Sequence, residues 1–273
     1  MIIKSRGKNI ELGKHTLIMG ILNITPDSFS DGGNYIDVHK AFEHAKSMKE
    51  EGADIIDIGG ESTRPNYKTI SDEEEIARII PVIERISKEL DIMISVDTYK
   101  HNVARKAIEA GANIINDIWG LQYDNGGMAQ LVSEYNIPLV AMHNQDTREY
   151  SIDIIQSIRN FFNKTFEISK KYNISKENII LDPGIGFGKG INENLEVLKR
   201  LEELKDLGPI LLGTSKKSFI GKILGDVSTE ERVEGTIATT VIGISKGVAI
   251  VRVHNILENK RAALVADAVY RLG

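Results

Sequence analysis

At eight places along this 273-residue chain, hydrogen-bonding or reactive side chains directly follow a short apolar run. In chain order they are Asn23, Asp57 with Glu61-Ser62-Thr63-Arg64, Asp97, Asn116-Asp117, His143-Asn144, Asp182, Ser215-Lys216-Lys217-Ser218, and Arg252 with His254. A surface loop would account for any one of them; eight together point to one shared site. Asp57, Asp97, Asn116 and Asp182 fall at or just past the run ends, where the backbone is expected to be buried. A buried carboxylate has to be paired or hydrogen-bonded, which leaves two readings open. One is internal pairing with Lys or Arg. The other is a ring of acceptors and donors facing the amino-pyrimidinone edge of a flat heterocycle, with Lys217 as the missing donor. Arg64, Arg252 and His254 gather at the other end of the constellation, with Asn23 opposite them. Such cations suit a phosphate or diphosphate, and Asn is a hard oxygen ligand suited to magnesium. His254 alone would read as structural, but beside Arg252 it reads as an anion ligand. His15, His39, His44 and His101 have no comparable setting and read as structural or solvated.

Elements that could bring these groups together are visible as an alternation of short β-rich runs with longer stretches of helical period. The runs are Leu17 to Leu22, Asp54 to Ile58, Ile92 to Val96, Asn113 to Ile118, Pro138 to Met142, Asn178 to Leu181, Ile210 to Gly213, and Ala249 to Val253. Helical stretches between them include Asp37 to Glu51, Glu73 to Leu90, Asn102 to Ala110, Ile152 to Lys171, Asn192 to Leu207 and Glu231 to Lys246. Ser71 followed by Glu74 has the form of a capping box, so the acidic run Asp72 to Glu75 reads as a helix start. Eight βα units in a chain of this length suit a TIM (β/α)8 barrel better than an open doubly wound sheet, and barrel active sites form where the strands end. No linker divides the chain, so residues 1–273 read as a single domain. Ile2-Ile3 and Asn9 to Leu12 are left over at the start and look like a β-hairpin able to plug the barrel's N-terminal mouth.

Composition narrows the partners. The chain has no cysteine, so disulfides, thiolate nucleophiles and cysteine-bound metals are excluded, and any metal must use oxygen or imidazole ligands. A formal net charge of −5 with scattered Lys and Arg argues against a nucleic-acid partner. No apolar run is long enough to span a membrane, and Met1-Ile2-Ile3-Lys4-Ser5-Arg6 lacks the hydrophobic block of a signal peptide, which implies a cytoplasmic chain. The segment Asp182-Pro183-Gly184-Ile185-Gly186-Phe187-Gly188-Lys189 is neither a Walker A loop, since Gly190 stands where Ser or Thr is needed, nor a Rossmann fingerprint. Its glycines read as allowing close backbone packing beside a bound ring, with Phe187 as a wall.

These residues resemble dihydropteroate synthase from Met19 to about His254. The resemblance is carried by Gly20-Ile21-Leu22-Asn23-Ile24-Thr25-Pro26-Asp27-Ser28-Phe29-Ser30-Asp31-Gly32-Gly33, Gly59-Gly60-Glu61-Ser62-Thr63-Arg64-Pro65, Ser95-Val96-Asp97-Thr98, Ile115-Asn116-Asp117, the Asp182 to Lys189 segment, Ser215-Lys216-Lys217-Ser218-Phe219-Ile220-Gly221, and Arg252-Val253-His254. It implies condensation of 7,8-dihydropterin-6-ylmethyl diphosphate with p-aminobenzoate to give dihydropteroate and pyrophosphate, the step that sulfonamides target. Position by position, it implies that Asp97, Asn116, Asp182 and Lys217 bind the pterin. Asn23, Arg64, Arg252 and His254 would hold the diphosphate, with Mg2+ on Asn23. Thr63, Pro65, Phe187 and Ser218 would form the p-aminobenzoate pocket. Asp31, Lys217, Arg252 and His254 would carry the catalysis, with Asp31 and Arg64 on two loops that close over the site. Lys216, Asn66, Trp119 and Asn255 depart from the usual pattern; they leave the pterin set untouched and affect the rim of the p-aminobenzoate pocket. The resemblance also implies a homodimer through the late helices, for which the apolar stretch Thr236 to Ile244 is a candidate, although it fits equally well as a helix core face. A pterin-binding methyltransferase would lack the Ser-Lys-Lys-Ser and Arg-Val-His ends, and an inactive scaffold barrel would have lost Asn23, Asp31 or Arg252.

Overall fold

The computed structural model describes residues 1–24, 34–61 and 69–271. A hairpin of β1 (Ile2–Ser5) and β2 (Lys8–Glu11) comes first. The alternating units follow: β3 (Leu17–Asn23), α1 (Asn34–Glu50), β4 (Ile55–Gly59), α2 (Asp72–Glu89), β5 (Met93–Asp97), α3 (His101–Ala110), β6 (Ile114–Asp117) and α4 (Gly127–Tyr135). The second half holds β7 (Leu139–Met142), α5 (Ile154–Lys171), β8 (Ile179–Asp182), α6 (Ile191–Lys199), β9 (Leu211–Leu212), α7 (Ser218–Ile223), α8 (Val233–Ser245), β10 (Ile250–Val253) and α9 (Ile256–Tyr270). The eight strands from β3 onward pair in parallel in the order β8-β7-β6-β5-β4-β3-β10-β9. A parallel bridge from Leu181 to Ile210 joins the two ends of that series, and the Leu181 N–H donates to the Pro209 carbonyl at 2.9 Å. The result is the expected TIM barrel.

Two apolar layers hold it. Outward-facing Ile56, Ile58, Val96, Ile115, Leu139, Leu181 and Val251 are buried against the helices. Inward-facing Met19, Ile55, Met93, Ile114, Val140, Ile180, Leu211 and Ile250 form a layer across the barrel, and Ile3 and Ile10 of the hairpin, with Leu12 after it, belong to the same cluster. The hairpin therefore plugs the N-terminal mouth as expected, each of those side chains contributing about 1.5–3 kcal/mol by burial. Because side chains alternate along a strand, the same inward face recurs two residues further on. That step leads from Ile55 to Asp57, from Met93 to Ser95 and Asp97, from Ile114 to Asn116, from Ile180 to Asp182, from Leu211 to Gly213 and from Ile250 to Arg252. The amino half of the barrel is thus dry and the carboxyl half polar.

Helix boundaries differ from expectation in places. At the start of α2, Ser71 Oγ accepts from Glu74 N at 3.2 Å, but the Glu74 carboxylate turns to Arg78, so only half of the capping box forms. The stretch expected as one helix from Asn192 to Leu207 leaves α-geometry at Arg200 (φ −110°, ψ 20°) and continues as a 3-10 turn over Leu201–Leu204. Arg200 is drawn sideways there by Asp153 on the neighbouring unit and by Glu203.

Candidate active site

A pocket opens among the strand ends, lined by Asp97, Asn116, Asp182, Lys217 and Arg252 with Ile118, Met142, Ile185, Phe187 and Gly213. The four residues expected to bind a flat heterocycle therefore share one cavity, between apolar walls. Its free volume is about 50 Å³. Glycines make what room there is. A Cβ on Gly213 would lie 3.6 Å from Asp182 Oδ2, and one on Gly59 would lie 3.5 Å from Asp97 Cβ and 3.8 Å from Asn23 Oδ1. Asn23, at the end of β3, lies across Gly59 of β4 from Asp97.

Arg252 is tied into the pocket wall. Its Nε donates to Asp57 Oδ2 at 2.5 Å and its Nη2 to Asp97 Oδ2 at 2.6 Å, so the guanidinium lies within the ring of strand-end carboxylates. Asp57 is wholly buried and also accepts from Asn116 Nδ2 at 3.0 Å. Asp57 does not line the pocket. Of the two readings open for the inward carboxylates, internal pairing holds for Asp57, whereas Asp97 is both paired and exposed to the cavity. Asp97 Oδ1 is buried with no protein partner among the described residues. Burial pushes the Asp97 carboxyl up to about 7, with Arg252 pulling it down and Asp57 adding to the rise. Burial also raises Asp182, against the Gly184 N–H, which donates to Asp182 Oδ1 at 2.8 Å, and the nearby cations.

His254 lies further out. Ser215 Oγ accepts from the His254 backbone N–H at 3.1 Å and sits 2.9 Å from its Nδ1. Lys217 holds its amine 4.2 Å above the Phe187 ring centre, which brings Phe187 onto the pterin-side wall, while Ser218 is exposed at the start of α7. Lys216, beside it, turns away to Glu230 at 2.6 Å. Asp31, Thr63, Arg64 and Pro65 lie outside the described residues.

Three polar groups near the strand ends prove structural. Asp117, which the sequence grouped with the shared site, faces outward and accepts from the backbone N–H groups of Trp119 at 2.9 Å and Leu121 at 2.7 Å, with burial raising its carboxyl to about 6. His143 is buried, and its Nδ1 lies 2.7 Å from the Lys189 amine. Lys189 also donates to the carbonyls of Gly184 at 2.9 Å and Phe187 at 3.0 Å, so its charge is spent inside the glycine-rich loop rather than on a phosphate. Burial and the neighbouring Lys189 charge lower His143 to about 2, and burial lowers Lys189 to about 7 against the pull of Asp182. The loop closes tightly at Gly184 (φ +69°), where a Cβ would lie 1.9 Å from the His143 carbonyl oxygen.

A larger groove of about 460 Å³ lies at the opposite pole, beside the hairpin. Three of its charged lining residues are engaged elsewhere: Lys8 lies 3.4 Å from Asp91, and Asp54 accepts from Ile18 N at 2.8 Å and from Lys260 at 3.3 Å. The strand-end pocket, where unpaired acceptors face a cavity, is the better candidate.

The family model described as pterin binding enzyme matches residues 19–254, from the first barrel strand to the polar end of the last. The chain is 53% identical to a dihydropteroate synthase of Clostridium beijerinckii over 98% of this chain and 100% of that one. Among solved structures it resembles the Clostridium difficile dihydropteroate synthase determined in the presence of pteroic acid, with 54% identity, a TM-score of 0.93, and coverage of 96% of this chain and 99% of that one. It also resembles the Xanthomonas albilineans enzyme in complex with 7,8-dihydropteroate, with 35% identity, a TM-score of 0.91 and full coverage of both chains (100%). The chain belongs to the dihydropteroate synthase family of transferases. Among its described residues no helix is long and apolar enough to cross a membrane.

Proposed function

We propose that the strand-end pocket binds the pterin of 7,8-dihydropterin-6-ylmethyl diphosphate and that the chain joins it to p-aminobenzoate, releasing pyrophosphate. The observation that carries this reading is the buried, unpartnered Asp97 Oδ1 in a pocket shared with Asn116, Asp182 and Lys217. A pterin edge offers N–H groups for such acceptors and a carbonyl for Lys217, which leaves fewer buried polar groups unsatisfied. Entry of the bicyclic ring into so small a cavity requires the Lys217 amine to leave the Phe187 face. Phe187 and Ser218, with Thr63 and Pro65, would then flank p-aminobenzoate.

The reaction breaks the bond from the methylene carbon to the diphosphate oxygen, and the electron pair leaves with pyrophosphate. His254 and Arg64 would hold the departing anion from outside the ring, and Arg252 from the pocket wall. Asp31 would face the carbon as positive charge grows on it, and one such preorganised contact is worth about 3 kcal/mol. The amine nitrogen of p-aminobenzoate then forms the new C–N bond and loses its proton. Among the described residues no cluster of three or more His, Asp or Glu could cage a metal, whereas the Asn23 carboxamide provides a hard oxygen beside Asp97. That single oxygen donor fits Mg2+, which Asn23 would hold and which would supply charge neutralisation at the departing diphosphate.

A cytoplasmic homodimer completes the proposal. On α9, Leu257, Leu264, Val265, Val269 and Tyr270 are exposed, as is Ile242 on α8, which supports an interface through these two late helices. The stretch within α8 buries Thr236, Thr239, Thr240, Gly243 and Ile244 and leaves Ile242 out, so it serves the core with one face and offers an apolar residue with another. Incubation with the pterin diphosphate and Mg2+ should release pyrophosphate only when p-aminobenzoate is added, with dihydropteroate formed in equal amount. Pyrophosphate release without dihydropteroate, or neither product, would reject the assignment.

A further inference from the structure

We propose that Asp57 is a positioning residue for the pterin pocket, turning the Asn116 carboxamide so that its oxygen faces the cavity and fixing Arg252 in the cavity wall. A guanidinium N–H can only donate, so the Asp57 Oδ2 that Arg252 meets is an acceptor. Since Asp57 Oδ2 meets the Asn116 carboxamide at 3.0 Å, the Asn116 nitrogen must be the atom directed at it, and the carbonyl oxygen is left for the pocket. The same Oδ2 accepts from Arg252 Nε at 2.5 Å, and Asp97 takes one Nη2 proton at 2.6 Å, so the guanidinium plane is held at two points and its remaining N–H groups are free to turn to a ligand.

Asp57 itself touches nothing in the cavity and has no solvent exposure. Its place follows from strand alternation: it faces inward one step beyond Ile55 of the dry layer, and the next inward residue on its strand is Gly59, whose missing side chain leaves Asp97 and Asn23 uncovered. Asn116 and Arg252 come from strands on opposite sides of β4 in the ring, so local sequence fixes neither of them. Without Asp57 the carboxamide could turn over and present its N–H2 to a pterin N–H, replacing an attraction with a clash of donors.

This inference rests on the pterin reading above, and calorimetry with a bare pterin separates the two. Failure of the parent enzyme to bind pterin would overturn the pocket assignment itself. If the parent binds, Asp57→Ala is expected to weaken binding by about tenfold or more, the scale of losing a charged hydrogen-bond partner. Asp57→Asn should recover most of that, because an amide oxygen can still accept from both N–H groups. The KM for p-aminobenzoate at saturating pterin diphosphate should stay unchanged in both. Parent-like pterin affinity in Asp57→Ala, or equal losses in the two variants, would overturn the positioning role. Should either variant fail to fold, NMR of the parent decides, with Arg252→Lys serving only to assign the signal: the Arg252 Nε–H should exchange slowly, and a rapidly exchanging one would overturn the positioning contact.

Discussion

Replacing Asp182 by Asn keeps the side chain's shape and changes what it offers the pocket. Asp182 Oδ1 accepts from the Gly184 N–H at 2.8 Å, so the amide in Asp182→Asn must give its only oxygen to that N–H. Its nitrogen then takes the place of Oδ2, on the side of Gly213 and the cavity, where it meets pterin N–H groups donor to donor. Loss of one hydrogen bond to a charged acceptor is worth about 1.5–3 kcal/mol, or about 10- to 160-fold in Kd. The fold should not suffer, because burial already disfavours the charge on Asp182 and a neutral amide relieves that cost while keeping the Gly184 contact. The expected signature is therefore a large rise in Kd for a bare pterin by calorimetry with a Tm equal to or slightly above the parent's. A Kd within about threefold of the parent would refute the reasoning, since it lies below the smallest loss expected for a charged hydrogen bond.

Other perturbations separate the remaining roles. His254→Ala should weaken binding of the pterin diphosphate while leaving a bare pterin untouched, whereas Arg252→Ala should weaken both because its guanidinium lines the ring pocket; equal effects of the two variants on bare pterin would show the division to be wrong. Pterin affinity should rise as pH increases through about 7 and level off above it, because Asp97 must give up its proton to accept from the ring, and a titration flat from about pH 6 to about 8 would exclude that role. Stability runs the other way from the same group. The folded state holds the Asp97 proton that the unfolded chain has released, so stability should fall as pH climbs from the ordinary carboxylate range towards about 7. Leu264→Glu on the exposed face of α9 should reduce the light-scattering mass to that of a single chain, and a parent already monomeric would remove the proposed interface.

The barrel was legible because each strand carries a run of apolar residues with polar residues at or just past its end, a local pattern that survives folding unchanged. Elements set by tertiary packing were less so. Helix α4 is short and starts after Gly126 without a side-chain cap, so it lacks a start signal, and α9 spreads apolar residues around both its buried and exposed faces, so it lacks a clean amphipathic stripe. The pterin set Asp97, Asn116, Asp182 and Lys217 was readable because each sits at or just past the end of a strand. The pairing of Arg252 with Asp57, 195 residues apart, was not, since a strand-end position reveals that a side chain points inward but not which neighbour across the ring it meets. Lys189 and His143 were hidden for the same reason: the glycine-rich loop's lysine turns back into its own loop, and only the folded chain shows the histidine waiting there. A signal for Asp117 was present in hindsight, because strand alternation places it on the face opposite Asn116.

A crystal structure with a pterin bound would test the pocket most directly. The ring should lie between Ile118, Met142 and Phe187 with its N–H groups within hydrogen-bond distance of Asp97 Oδ1, Asn116 Oδ1 and Asp182 Oδ2. A ring bound elsewhere, or one that meets the nitrogen of Asn116 rather than its oxygen, would contradict the assignment.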